Sequence, residues 1–168
     1  MVSIENPYAR TLGGIEFPLG QLPPVAHRMD LLKPECRSAA FGWFLDGRRI
    51  ELDTSPDMSQ LWIAPNARHA LLLLQSEGHA PDNIEILSPE GAVLARPRNP
   101  YLDSDLFRQG DWCEFDNVKI IGDHVYGIIY VRRDRPGLAP QEPHYAALFD
   151  TSTMKFTGEL EFLSSKDL

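Results

Sequence analysis

The sequence predicts an all-β protein with mainly antiparallel strands and little helix. Short apolar segments alternate with polar residues at a period of two, which is typical of half-buried strands. Pairs of glycine, proline, asparagine and aspartate separate these segments and predict tight turns between them. The longest apolar stretch covers only residues 125–131. Because a membrane-spanning helix needs roughly 20 apolar residues, we expect no membrane partner.

The clearest hairpin is predicted at residues 39–53. Trp43 and Leu45 lie on one face of the first strand, and residues 48–53 alternate in the same way on the return strand. Asp46-Gly47 stands between the two strands, and this pair favours the positive φ angles of a type I′ turn. The sequence therefore places an extra hairpin ahead of the longer units that follow.

Two four-stranded meander units are predicted at residues 60–95 and 117–162. Each contains a strand, a turn, a strand, a longer connection, a strand, a tight turn and a final strand. The run Leu71–Leu74 has no alternation, so we expect its strand to be covered on both faces. Together the two units and the extra hairpin predict an open twisted sheet or a sandwich.

The chain length predicts a single domain over residues 1–168. Proline and glycine pairs in residues 1–35 predict an irregular N-terminal segment, with one short strand at residues 15–17 and one short helix near residues 25–33. Residues 39–95 hold the hairpin and the first meander, and residues 117–162 hold the second. Residues 96–116, rich in acidic and aromatic side chains, are expected to form the loop between the meanders.

The repeated meander resembles the blade of a β-propeller. The phrase at residues 63–71, Ile-Ala-Pro-Asn-Ala-Arg-His-Ala-Leu, is similar to the strand–turn–strand phrase of such blades. Residues 84–93 resemble the next hairpin, in which Ser-Pro-Glu-Gly joins the third and fourth strands. Two and a half blades fall short of the roughly four that a closed ring needs. The resemblance therefore implies blade-like units in an open arrangement, with homo-oligomers forming through free sheet edges as one expectation.

The charge distribution excludes some partners and favours others. The net charge is −8, and residues 51–168 hold nineteen acidic side chains against ten basic ones. This field repels nucleic acid and anionic lipid and attracts a basic protein surface. The N-terminus shows no apolar signal segment, and the two cysteines form no CxxC pair. We therefore expect a cytoplasmic protein with two free thiols.

No sequence motif indicates catalysis, a cofactor or a metal. The chain has no phosphate-binding loop, no GxSxG and no HExxH, and its five histidines are scattered along the sequence. Cys113 stands between Trp112 and Glu114, neither of which would lower a thiol pKa. We therefore predict no catalytic, cofactor-binding or metal-binding residues, and a protein that is not an enzyme.

The candidate site is residues 101–116 of the loop between the meanders, because this stretch combines several acids and aromatic side chains with a single basic residue, Arg108. Aromatic anchors surrounded by charge are typical of protein interfaces. The alternative is a connecting loop whose aromatic rings fasten it to the sheet. The predicted partner-binding residues are Tyr101, Asp103, Asp105, Phe107, Asp111, Trp112, Glu114 and Asp116.

These features favour a non-enzymatic protein that masks a basic protein partner through an acidic surface. In size, acidity, sheet content and lack of catalytic motifs the chain resembles the small bacterial immunity proteins that neutralise toxins. The resemblance implies a toxin inhibitor whose acids pair with Lys or Arg. Two alternatives stay open, a structural module that associates through sheet edges and an enzyme or small-ligand binder with a loop-built site.

Overall fold

The computed structural model describes residues 2–21, 28–36, 38–52, 59–75 and 78–168. Short 3-10 helices span Arg28–Leu32, Pro34–Cys36 and Pro100–Asp103. Within the described ranges the chain forms twelve strands, which confirms the all-β prediction with little helix. The strands are β1 (Glu5–Thr11), β2 (Glu16–Pro18), β3 (Ser38–Leu45), β4 (Arg48–Glu51), β5 (Ser59–Ile63), β6 (Ala70–Leu74), β7 (Ile84–Leu87), β8 (Val93–Ala95), β9 (Trp112–Ile121), β10 (His124–Arg132), β11 (His144–Asp150) and β12 (Lys155–Leu163).

These strands pair into three four-stranded antiparallel sheets among the described residues. The second sheet has the order β5-β6-β7-β8 and the third has the order β9-β10-β11-β12. Each strand in these two sheets pairs with its neighbour along the chain, as the sequence predicts for two consecutive meanders. The first sheet has the order β2-β1-β3-β4, so the chain crosses over β1 after its first hairpin.

The hairpin predicted at residues 39–53 is formed by β3 and β4. Asp46 and Gly47 have φ angles of 49° and 74°, so the positive φ pair expected of a type I′ turn is present. Asp53 lies outside the described residues. The hairpin is not a separate addition, because β1 pairs with β3 and extends it into a full sheet.

The N-terminal segment contains two strands, of which β2 lies close to the short strand predicted at residues 15–17. The strand β1 was not predicted, because Asn6-Pro7 falls in the stretch expected to be irregular, yet both residues lie within β1. Asn6 adopts a φ of 46°, and the register of β1 against β3 shifts between Glu5 and Tyr8. Proline is tolerated at such a bulge because no ladder hydrogen bond is required there. Residues 25–27 of the helix expected near residues 25–33 lie outside the described residues, and the described part forms a 3-10 helix at Arg28–Leu32.

The three sheets stack face to face, with the second sheet in the middle. Leu71 and Leu73 of β6 point into a core shared with the third sheet, which contains Phe115. Leu72, between them, points into a core shared with the first sheet, which contains Trp43. The strand is therefore covered on both faces, as its unbroken run of leucines predicts. The first and third sheets each have one covered face and one outer face.

Gly127 lies at the centre of β10, where two phenylalanine rings pass close to its backbone. A Cβ atom here would come within 2.7 Å of the Phe156 ring and 2.9 Å of the Phe115 ring. We expect Gly127→Ala to lower the free energy of unfolding by about 1–3 kcal/mol, because the packed rings must shift. Urea denaturation measures this change. Gly158→Ala is the matched control, since nothing lies within 4 Å of its Cβ position, and equal losses in both variants would contradict the packing argument.

Candidate functional site

The predicted site divides into three groups of residues in the structure. Two residues lie in the interior, three remain in the loop before β9, and three belong to β9 itself. Trp112 begins β9, so the second meander starts five residues earlier than the sequence predicts. Its apolar and polar residues alternate along the strand. The interior residues are Tyr101 and Asp111, the loop residues are Asp103, Asp105 and Phe107, and the strand residues are Trp112, Glu114 and Asp116.

Tyr101 and Asp111 form an interior cluster with Arg133, which directly follows β10. The Tyr101 hydroxyl donates to Asp111 Oδ2 at 2.5 Å and accepts from Arg133 Nη2 at 2.7 Å. Arg133 Nε also donates to Asp111 Oδ2 at 3.3 Å, and the Arg108 amide donates to the same oxygen at 3.0 Å. The Asp111 side chain is only 5% exposed. This cluster fastens the loop to the third sheet, so neither residue is a surface group.

The cluster also shifts the ionisation of both residues. Burial and the hydrogen bond to Asp111 raise the pKa of Tyr101 to about 12. Burial alone would raise the pKa of Asp111, but the hydrogen bonds from Tyr101, Arg108 and Arg133 outweigh it and lower that pKa. The Asp111 carboxylate is therefore charged at neutral pH and accepts hydrogen bonds within the protein.

The three remaining loop residues have mixed roles. Asp103 is exposed and forms an ion pair with Arg98, with Arg98 Nε 2.7 Å from the carboxylate. Phe107 is half-buried, and its ring packs edge-on against Tyr101 with 6.0 Å between centroids. Asp105 is exposed. The ring of Phe107 therefore helps to fasten the loop, as expected of a connecting loop that is anchored by its aromatic side chains. Asp103 and Asp105 remain at the surface.

The residues that come together are those of β9 and the strands beside it. Trp112, Glu114 and Asp116 alternate with buried Cys113 and Phe115, which places them on the outer face of the third sheet. The rings of Tyr130 on β10 and His144 on β11 lie next to Trp112 in a row across this face. Trp112 and Tyr130 lie 6.0 Å apart between centroids, and Tyr130 and His144 lie 5.2 Å apart. We call this surface the aromatic–acidic face; it consists of Trp112, Glu114, Asp116, Tyr130, Glu142 and His144.

Sequence reasoning did not select Tyr130, Glu142 or His144. Their placement depends on antiparallel pairing, in which Tyr130 stands opposite Glu114 on one side and opposite His144 on the other. The alternation of Tyr130 with buried Ile129 and Val131 was the available signal. It marks the outward side of β10 but not which strands flank it.

The carboxylates of the face differ in their partners. Asp116 Oδ2 lies 3.8 Å from His144 Nε2, and the Tyr130 hydroxyl donates to Glu142 at 2.9 Å. No side chain among the described residues forms an ion pair or hydrogen bond with the Glu114 carboxylate. Burial and the nearby charge of Asp116 raise the pKa of Glu114. Glu114 is thus a partly buried acid that no cation of the described residues neutralises.

Trp112 and Glu114 also line one wall of a cleft of about 700 Å³. Arg132 and Asp134 share this wall at the end of β10, and they pair with each other at 3.4 Å. Gln75 and Ala80, in the connection between β6 and β7, lie on the opposite side. Trp112 is 45% exposed, so its indole is accessible from solvent.

The described residues offer no other obvious reactive centre. Burial raises the pKa of the Cys113 thiol to about 12, so this cysteine is inert at neutral pH. No group of three or more His, Cys, Asp or Glu side chains in the described ranges is placed to hold a metal ion. The same ranges contain no helix with the length and apolar character to cross a membrane.

Comparison with known proteins leaves the chain without a family. The sequence matches no protein-family model, and no curated protein and no solved structure is significantly similar to it. Carboxylates set among exposed aromatic rings can bind a positively charged group through ion pairing and cation–π contact.

Proposed function

We propose that the protein is a non-enzymatic binding module that captures a basic protein partner through the aromatic–acidic face. The observation that carries this proposal is the grouping of Trp112, Glu114 and Asp116 on one exposed sheet face beside Tyr130. An exposed indole supplies large contact area at low entropic cost, and flanking carboxylates attract and orient a basic surface. The stacked sheets provide a rigid support for the face.

This function corresponds to that of an inhibitor or immunity protein, which masks its target by occupying a surface rather than by chemistry. The net charge of −8 supports fast electrostatic association with a basic target. Both cysteines are free thiols, which supports a cytoplasmic site of action. The partner is defined here by its chemistry, a folded protein with a Lys- or Arg-rich patch.

The partner can be identified by crosslinking in the source cells. A photoreactive benzoylphenylalanine at position 116 lies on the aromatic–acidic face, and the same residue at position 103 lies off it. We expect a crosslink to a basic protein from position 116 alone. A crosslink from position 116 only to a second copy of the chain would instead support self-association at β9, which is one edge of the third sheet.

Once the crosslinked partner is purified, two double variants with the same change in charge test whether binding depends on the aromatic–acidic face or only on the net negative charge of the protein. We expect Glu114→Gln with Asp116→Asn to weaken binding by at least about tenfold and to flatten its salt dependence. Asp103→Asn with Asp105→Asn removes the same charge from the loop, off the face, and is expected to change affinity less than about threefold. Calorimetry across a salt series measures both. Equal losses in the two variants would reject the face as the binding site.

A further inference from the structure

The cleft beside Trp112 lies at one end of the aromatic–acidic face, with Trp112 and Glu114 in its lining. It opens where β9 begins and β10 ends, against the connection that follows β6. Its volume of about 700 Å³ exceeds that of any single side chain. An incoming side chain can therefore enter together with part of its own backbone. Features of this kind hold the central anchor of an interface rather than its rim.

We propose that this cleft holds one arginine side chain of the basic partner, with its guanidinium stacked on Trp112 and paired with Glu114. The inference rests on the proposed function and names the group that the site recognises. Arginine suits the cleft because its planar fork stacks on aromatic faces and bonds carboxylates through two N–H groups. Lysine offers a single point charge and cannot make both contacts equally well.

The charges around the cleft favour a cation from outside the chain. Arg132 is the one basic side chain among the described residues that line the cleft, and it pairs with Asp134 at 3.4 Å. Glu114 has no such partner among the described side chains, and Asp116 adds a second negative charge on the same face. A guanidinium bound at Glu114 would offset the repulsion between the Glu114 and Asp116 carboxylates. Its attraction to Glu114 is strengthened because the carboxylate is partly withdrawn from water.

No side chain of the described residues pairs with the aromatic side of the cleft as a cation. No cation of the described residues lies over the Trp112 ring, whereas Tyr8 and Tyr101 already have Arg49 and Arg133 beside them. Among aromatic side chains, indole binds cations best. Within the described part of the chain, this cleft combines an accessible indole with an acid that has no cation partner.

The test is an NMR titration of the full-length protein with N-acetyl-arginine methylamide. We expect the indole N–H signal of Trp112 to shift in a saturable manner, with weaker binding of the lysine analogue and none of the glutamine analogue. Glu114→Gln is expected to weaken arginine binding at least fivefold. Asp105→Asn removes an exposed charge away from the cleft and is expected to leave the affinity for the arginine analogue unchanged.

The outcomes separate this inference from the proposed function. If the arginine analogue leaves the Trp112 signal unchanged while the purified partner still binds the face, the cleft assignment is wrong and the binding module stands. Equal shifts with all three analogues would show non-specific contact and overturn the inference. A Trp112 shift that follows protein concentration without any analogue would show that a second copy fills the cleft, which also overturns it.

Discussion

Asp111→Ala is expected to lower the free energy of unfolding by about 3–5 kcal/mol, the range for breaking a buried charge pair. The Asp111 carboxylate accepts from Tyr101, from the Arg108 amide and from Arg133. Arg133 is only 15% exposed. Removing the carboxylate leaves its guanidinium largely out of water without a counter-charge. The loop would lose its attachment to the end of β10 at the same time.

Chemical denaturation of Asp111→Ala beside Asp105→Ala measures the effect. Asp105 lies in the same loop and is exposed, so its loss is expected to change stability by less than about 0.5 kcal/mol. Because the pKa of Asp111 is lowered in the fold, its ionic contribution is fully present above the unfolded value of about 3.9. It is lost as pH falls through the folded pKa, so the difference between wild type and Asp111→Ala should narrow in acid. A variant as stable as wild type at pH 7 would contradict the structural role.

The acids of residues 101–116 lie in two different environments. Asp111 belongs to the same acidic and aromatic stretch as Glu114 and Asp116, and sequence alone gives no reason to separate them. What separates them is Arg133, which lies 22 residues further along the chain. A contact of that kind depends on how β9 and β10 pair. The charge of Asp111 therefore stabilises the fold, whereas the charges of β9 remain on the surface.

The strand pattern was predictable wherever one face of a strand is buried and the turn chemistry is local. The hairpin of β3 and β4 and the two meanders are examples, and the leucine run of β6 correctly predicts a strand in the middle of the stack. The strand β1 was not predictable, because Asn6-Pro7 has the local signature of a break. Its pairing with β3 over a bulge supplies the hydrogen bonds that stabilise it.

The candidate site was predictable only in part. Trp112, Glu114 and Asp116 stood out by composition, although their alternation with Cys113 and Phe115 already indicated a strand rather than a loop. The rings of Tyr130 and His144 could not be added from sequence, since no local pattern records which strands are neighbours. Composition indicated a surface of acidic and aromatic side chains, while the pairing of distant strands determined which side chains lie on that surface.

The side chain of Asn83 fixes the free edge of β9, and its removal is the second large effect that we expect. Asn83 is 1% exposed. Its Nδ2 donates to the carbonyls of Phe115 at 2.8 Å and Leu74 at 3.0 Å, and its Oδ1 accepts from the Phe115 amide at 2.8 Å. One side chain thus satisfies both backbone groups of Phe115, as a paired strand would, and links the second sheet to the third.

Asn83→Ala is expected to cost about 3 kcal/mol of unfolding free energy, because each buried group left without a partner costs roughly 1–3 kcal/mol. Asn66→Ala is the matched control, since Asn66 is exposed and its side chain accepts only from the nearby Arg68 amide. Hydrogen exchange should show faster exchange at the Phe115 amide in Asn83→Ala than in wild type. Unchanged stability together with a fully protected Phe115 amide would contradict this role. Because β9 carries Trp112 and Glu114, a loosened edge should also weaken partner binding, which links the packing of the interior to the face that we propose is functional.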